Sequence, residues 1–149
     1  MSLSVHNTVD WPAEKLLPYG KEITAAMHKL VARFPREITV QYLAQEIILG
    51  RKQLWLIMEG EKFVSFALTE IQTNDATGAK TLQMHSVAGD EGAATVPLIS
   101  ELEKYGMACG CTEGRMLARK GWTRPLGEQG YKEHLILFRK TLVRTDEAA

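Results

Sequence analysis

Neither sign of charge dominates this chain of 149 residues, because 18 acidic side chains balance 18 basic ones for a formal net charge of zero. A protein that holds nucleic acid through bulk charge is excluded by that balance, although a local basic patch is not. Cysteine is scarce: the sequence has two, Cys109 and Cys111. With one residue between them they are poorly placed to bond to each other. The histidines His6, His28, His85 and His134 show no ligand spacing around them, so no metal site is expected. The thiols read as reduced, as in a cytoplasmic protein. No apolar run approaches the roughly 18 residues of a membrane span, and residues 1–7 lack the basic and apolar regions of a secretory leader. Glycine and proline, 12 and 5 in number, are too few for a collagen-like or low-complexity chain.

What the sequence does have is an ordinary globular composition, 45% apolar and 24% charged, over a length that suits one domain with a sizeable core. All of 1–149 reads as one domain, with 1–12 a peripheral arm or short first strand and 143–149 a polar tail. The densest signal lies in 53–87. Gln53–Glu59 is apolar on both faces, as in a strand covered on each side. Lys62–Ile71 follows after Gly60, which suits a tight hairpin. In Ala79–Val87, Leu82, Met84 and Ser86 alternate with Thr81, Gln83 and His85. These three strands form a central β-meander. Met58, Met84, Met107 and Met116 read as core filler.

Two helices precede the meander. Ile23, Met27, Leu30, Val31 and Phe34 mark one helical face, stopped by Pro35. Thr39 suits the N-cap of a second helix, with Ile38 and Leu43 spaced as a hydrophobic staple. Leu43, Ile47 and Ile48 form its apolar face, and Gly50 ends it. After the meander, Leu98, Ile99, Leu102, Tyr105 and Cys109 trace a further helix with Pro97 in its first turn. Residues 112–118 are strand-like, and 121–130 make a short helix or irregular loop around Pro125. Residues 131–142 read as the last strand, with Leu135 and Leu137 on one face and His134, Ile136 and Phe138 on the other. The expected class is α/β in the broad sense (α+β), with elements in the order α-α-β-β-β-α-β-α-β.

That order of elements is similar to the GNAT superfamily of acyl-CoA-dependent N-acyltransferases. Two stretches carry the resemblance. One is the meander that ends in the glycine-bearing segment 88–95 before a helix. The other is 110–131, with its Gly110-Cys111 helix end, its Gly121-Trp122 element and its Gly130-Tyr131 pair, which resembles phage-encoded GNAT-like proteins. The likeness spans roughly Phe34 to Leu142. It implies a mixed, mainly antiparallel sheet flanked by helices, and transfer of an acetyl group from acetyl-CoA to an amine, borne by a small molecule or a protein. In a member that has lost catalysis, it implies a structural or interaction role in a phage particle or its assembly. Virion proteins or a second copy of the chain would then be the partners, and the host cytoplasm or the virion the location.

In this family a splay between the third meander strand and the next strand admits the pantetheine arm. Backbone amides of the following turn take the pyrophosphate at a helix N-terminus, where exposed N–H groups suit an anion. Carried onto this chain, the cofactor-binding positions are Val87, Gly89, Gly92, Ala93, Ala94 and Thr95. Gly92 and Ala94 match the family's Gln/Arg-x-x-Gly-x-Gly/Ala turn, whereas Gly89 stands where the family has Gln or Arg. Asp90 and Glu91 put two carboxylates beside the expected diphosphate. Two like unit charges about 4 Å apart repel by roughly 4 kcal/mol at an effective dielectric near 20. The same two acids are also ordinary partners of a helix dipole. The family's acid, a Tyr five residues before the final aromatic, falls on Leu126. Glu70 and His85, on neighbouring strands, are the candidate catalytic bases, histidine being the side chain best suited to proton transfer near neutrality. Either is equally a common polar residue at a strand end. Trp122 with Arg119, Lys120 and Arg124 suits a nucleotide phosphate, or a surface loop anchored by one buried Trp.

Overall fold

The computed structural model describes residues 2–88, 98–118 and 120–144. The chain opens with β1 (Ser4–Asn7) and a short α1 (Ala13–Leu16), which runs through a 3-10 turn into α2 (Gly20–Arg33). Next come α3 (Val40–Ile48), β2 (Gln53–Glu59), β3 (Lys62–Thr73) and β4 (Lys80–Ala88). Then follow α4 (Ile99–Ala108), β5 (Glu113–Met116) and α5 (Thr123–Glu128). The five strands form one sheet in the order β1-β2-β3-β4-β5. Neighbours are antiparallel except β4 and β5, which run parallel. The expected mixed, mainly antiparallel sheet between helices is what the chain forms.

Because β2 sits inside the sheet with both faces covered, its alternate residues feed two cores. Leu54, Leu56 and Met58 join Phe66 and Leu68 beneath Ile23, Met27 and Leu30 of α2 and Leu43 of α3. Trp55 and Ile57 join Ala67, Leu82 and Met84 beneath Ile99 and Leu102 of α4 and Leu126 of α5. The helix entries follow local chemistry. Thr39 Oγ1 accepts the Tyr42 amide at 3.1 Å, the expected N-cap, and Ile38 packs beside Leu43 in the first core. Gly50 takes a φ of +74° past the end of α3, a conformation that favours glycine.

Three expectations are corrected. Residues 132–144 form neither helix nor strand, and all are exposed. Leu135–Phe138 is a continuous apolar run, which as a strand requires cover on both faces, and the fold supplies neither. Ile48 lies outward, 83% exposed, because α3 buries Glu46 alongside Leu43. Met107 also points away from the core, at 65% exposure. Met58 and Met84 are buried as expected.

Candidate active site

The site is built where α3 meets the meander. Within α3, Leu43 and Glu46 lie three residues apart on the buried face, a spacing that places them one above the other. The chain then folds back on Glu46: the amides of Arg51 and Lys52 donate to its carbonyl at 2.9 and 3.2 Å. The Glu46 carboxylate accepts from Arg51 Nη1 at 3.0 Å, Tyr42 Oη at 3.1 Å and Lys52 Nζ at 3.5 Å. Burial acts to raise the pKa of this carboxyl. Hydrogen bonds from Arg51 and Tyr42, with the charges of Lys52 and Arg51, outweigh it and hold the group below the usual carboxylate range. Lys52 is itself buried and lies over the Tyr42 ring.

On the sheet, Leu68 of β3 stands opposite His85 of β4, and Glu70 opposite Gln83. Leu68 faces α2 and α3, so Glu70 and His85 share that face. The structure brings these two candidate bases together: His85 Nε2 lies 3.2 Å from Glu70 Oε2. The same oxygen accepts from Gln72 Nε2 at 3.2 Å and lies 3.8 Å from Lys52 Nζ. With the Glu70 carboxylate as acceptor, the neutral ring carries its hydrogen on Nε2 and keeps its lone pair on Nδ1. The pair is half-buried, open enough for a ligand to reach the ring.

The strand that carries His85 also changes partners there. Pairing of β4 with β5 runs from Thr81↔Glu113 to Met84↔Met116, and β4 continues for four residues beyond it, to Ala88. Between His85 and Ala88 the register with β3 also shifts, two residues of β4 facing one of β3, a bulge of the kind that re-aims a strand beside a site. From His85 onward no further pair joins β4 to β5 among the described residues.

Val87 lies in this outer part of β4. Gly89, Gly92, Ala93, Ala94 and Thr95, with Asp90 and Glu91, lie outside the described residues, as does Arg119. Leu126 packs into the second core, so no phenol stands at that point of α5. Tyr105 and Tyr131 belong to the second core, on the sheet face opposite His85. Burial, then a hydrogen bond and charge from Cys109, push Tyr105 up to about 12. Burial, then the 2.7 Å hydrogen bond to Glu103, raise Tyr131 above the ordinary phenol range. Trp122 packs against the second core, while Arg124 of α5 is exposed beside Glu128 one turn on. Sequence reasoning missed Glu46, Lys52, Tyr42 and Gln72. The available signal was a glutamate three residues after Leu43 on an apolar helical stripe, followed by Gly50-Arg51-Lys52.

No protein-family model matches the sequence, and no curated protein does. Solved structures match over nearly the whole chain. An acetyltransferase from Trypanosoma brucei superposes with a TM-score of 0.67 at 13% identity, over 95% of this chain and 100% of that one. An aminoglycoside acetyltransferase from an uncultured soil metagenomic sample, in complex with sisomicin, gives 0.63 at 14% identity, over 95% and 97%. The fold is that of the GNAT acetyltransferases. A predicted acetyltransferase from Clostridium acetobutylicum, solved with acetyl-CoA, shares this GNAT fold at a TM-score of 0.63 and 7% identity, over 94% and 96% of the two chains. At such identities it is the fold that is shared. Among the described residues no helix is long and apolar enough to cross a membrane, and no cluster of three metal-ligating side chains occurs.

Proposed function

We propose that the protein is an acyl-CoA-dependent N-acyltransferase in which His85, oriented by Glu70, serves as the general base. The observation that carries this reading is the parting of β4 from β5 immediately after Met84, beside the His85–Glu70 pair. Acetyl-CoA, when bound, supplies the acyl carbon as a thioester. The backbone of residues 85–88 and the turn amides at Gly92, Ala93, Ala94 and Thr95 are the groups assigned to hold it. The His85 Nδ1 lone pair takes the proton as the acceptor nitrogen attacks the acyl carbon, and the Glu70 carboxylate stabilises the imidazolium so formed. With Leu126 where the resemblance places a phenol, the leaving thiolate takes its proton from solvent.

Titration calorimetry with acetyl-CoA at low salt tests the cofactor, and thiol release across a panel of amines tests the reaction. Binding tighter than about 100 µM, roughly −5.5 kcal/mol, is expected. His85→Ala then lowers kcat/KM by on the order of 10²- to 10⁴-fold without weakening acetyl-CoA binding. No binding at millimolar acetyl-CoA would overturn the reading.

A second reading has its own support in the Leu126 substitution, in Asp90 and Glu91 of the turn, and in the exposed apolar residues Leu135–Phe138. On it the GNAT fold serves as a structural or interaction module. A phage setting, in which the partners are virion proteins, rests on the resemblance of 110–131 alone. This reading expects no acetyl-CoA binding.

A further inference from the structure

Glu46 and Lys52 are among the few charged side chains buried in this protein, 6% and 7% exposed, and neither has a role in the chemistry above. A buried ammonium is costly unless it is paired. Lys52 has two carboxylates within reach, Glu46 at 3.5 Å from α3 and Glu70 at 3.8 Å from β3. Glu46 does not need it for neutrality, because Arg51 already ion-pairs with Glu46 at 3.0 Å and Tyr42 donates to it. Lys52 is therefore shared: Glu46 offsets part of its charge, and the remainder acts on Glu70. It does so at Oε2, the same atom that receives His85 Nε2.

We propose that Lys52 is a positioning residue whose ammonium, held back by Glu46, sets how strongly Glu70 acts on His85. This deepens the acyltransferase reading and rests on it for its consequence, since the strength of the base at Nδ1 is set through Nε2 and Glu70. Two opposed fields meet at the ring. The Glu70 carboxylate favours the imidazolium, while the ammonium of Lys52, 3.8 Å from the same oxygen, disfavours it. Glu46, by drawing Lys52 toward α3 and offsetting its charge, releases Glu70 for His85. Also on this face among the described residues are Gln72 on β3, Thr81 and Gln83 on β4, and the mutually paired Glu113 and Arg115 on β5. Tyr42 and the largely exposed Arg51 complete the set on the α3 side. Among these, Lys52 is the buried cation in direct reach of Glu70. The arrangement ties the helix that covers the site to the protonation of its base.

The test needs no turnover. The imidazole titration of His85 is followed by NMR on the full chain, with its signal assigned by loss in His85→Gln. Lys52→Met is expected to move the His85 midpoint to higher pH by about half a unit or more, the scale of one charge acting a few ångströms away in a partly solvated site. Glu46→Gln moves it to lower pH, because Lys52 then loses the partner that offsets it. Lys52→Arg keeps the charge and leaves the midpoint close to that of the native chain. Should Lys52→Met not fold, Lys52→Gln with Glu46→Gln carries the same opposed pair of shifts. Midpoints that stay within about 0.1 unit of the native value, or that move in the same direction in both variants, overturn the proposal. Failure of the acyltransferase reading would show instead as absent acetyl-CoA binding, with these opposed shifts intact.

Discussion

Thr69 has no exposed surface, and its one hydroxyl serves two partners. It donates to Gln53 Oε1 at 2.8 Å and accepts from Trp55 Nε1 at 2.9 Å, joining β2 to β3 through three buried side chains. Valine has nearly the same shape but can do neither. Thr69→Val leaves a buried indole N–H and a buried amide oxygen without partners, and unmade buried hydrogen bonds cost about 1–3 kcal/mol. We expect a loss of roughly 2 kcal/mol in urea unfolding, with Thr69→Ser losing less because it keeps the hydroxyl. The same logic governs the candidate site, where few residues carry several bonds each. Glu70 and His85 were legible in the sequence as polar residues on adjoining strands. Their 3.2 Å contact was not, because it depends on a register that places Leu68 opposite His85. Lys52 was not legible at all. A lysine after a helix-ending glycine ordinarily reaches solvent, and here the chain folds back on Glu46 instead.

At the scale of an element, α4 owes its position to Gly106. A Cβ there would stand 3.0 Å from Leu82 Cδ2 and 3.2 Å from Leu82 Cβ. The second of these atoms is fixed by the β4 backbone and cannot rotate away. Gly106→Val must push α4 off β4, and overpacking of this kind costs about 1–3 kcal/mol. We expect roughly 2 kcal/mol of lost stability on thermal or urea unfolding. Because α4 follows the turn assigned to the diphosphate, weaker acetyl-CoA binding should accompany the loss. Glycine ordinarily weakens a helical turn, and here the fold uses it for a close approach between helix and sheet. Thr39 and Gly50, by contrast, acted as their local chemistry required, since caps and stops depend on the few residues around them.

For the whole molecule, two cores hold one sheet, and residues 132–144 join neither. Hydrogen exchange should report that division directly. Amides of 132–144 are expected to exchange within seconds at neutral pH, while those of β2 and β3 persist to the global unfolding limit. Slow exchange across Leu135–Phe138 would show that this segment is paired in solution. Its ties are local: Tyr131, just before the segment, bonds Glu103, and Arg139 within it reaches Glu37 at 2.9 Å on the surface. The sequence by itself determined the β-meander, its flanking helices and the expected fold, because alternation, helical spacing and capping are short-range signals read a few residues at a time. It also marked the last segment as a strand, since alternation specifies a strand's faces without supplying a neighbour to pair with. Only the tertiary structure decided where β4 parts from β5, that Lys52 lies between two carboxylates, and that Glu46 rather than Ile48 is buried. Those outcomes depend on where distant segments meet in space, and the burial of a charge is settled only when the partner that compensates it has arrived.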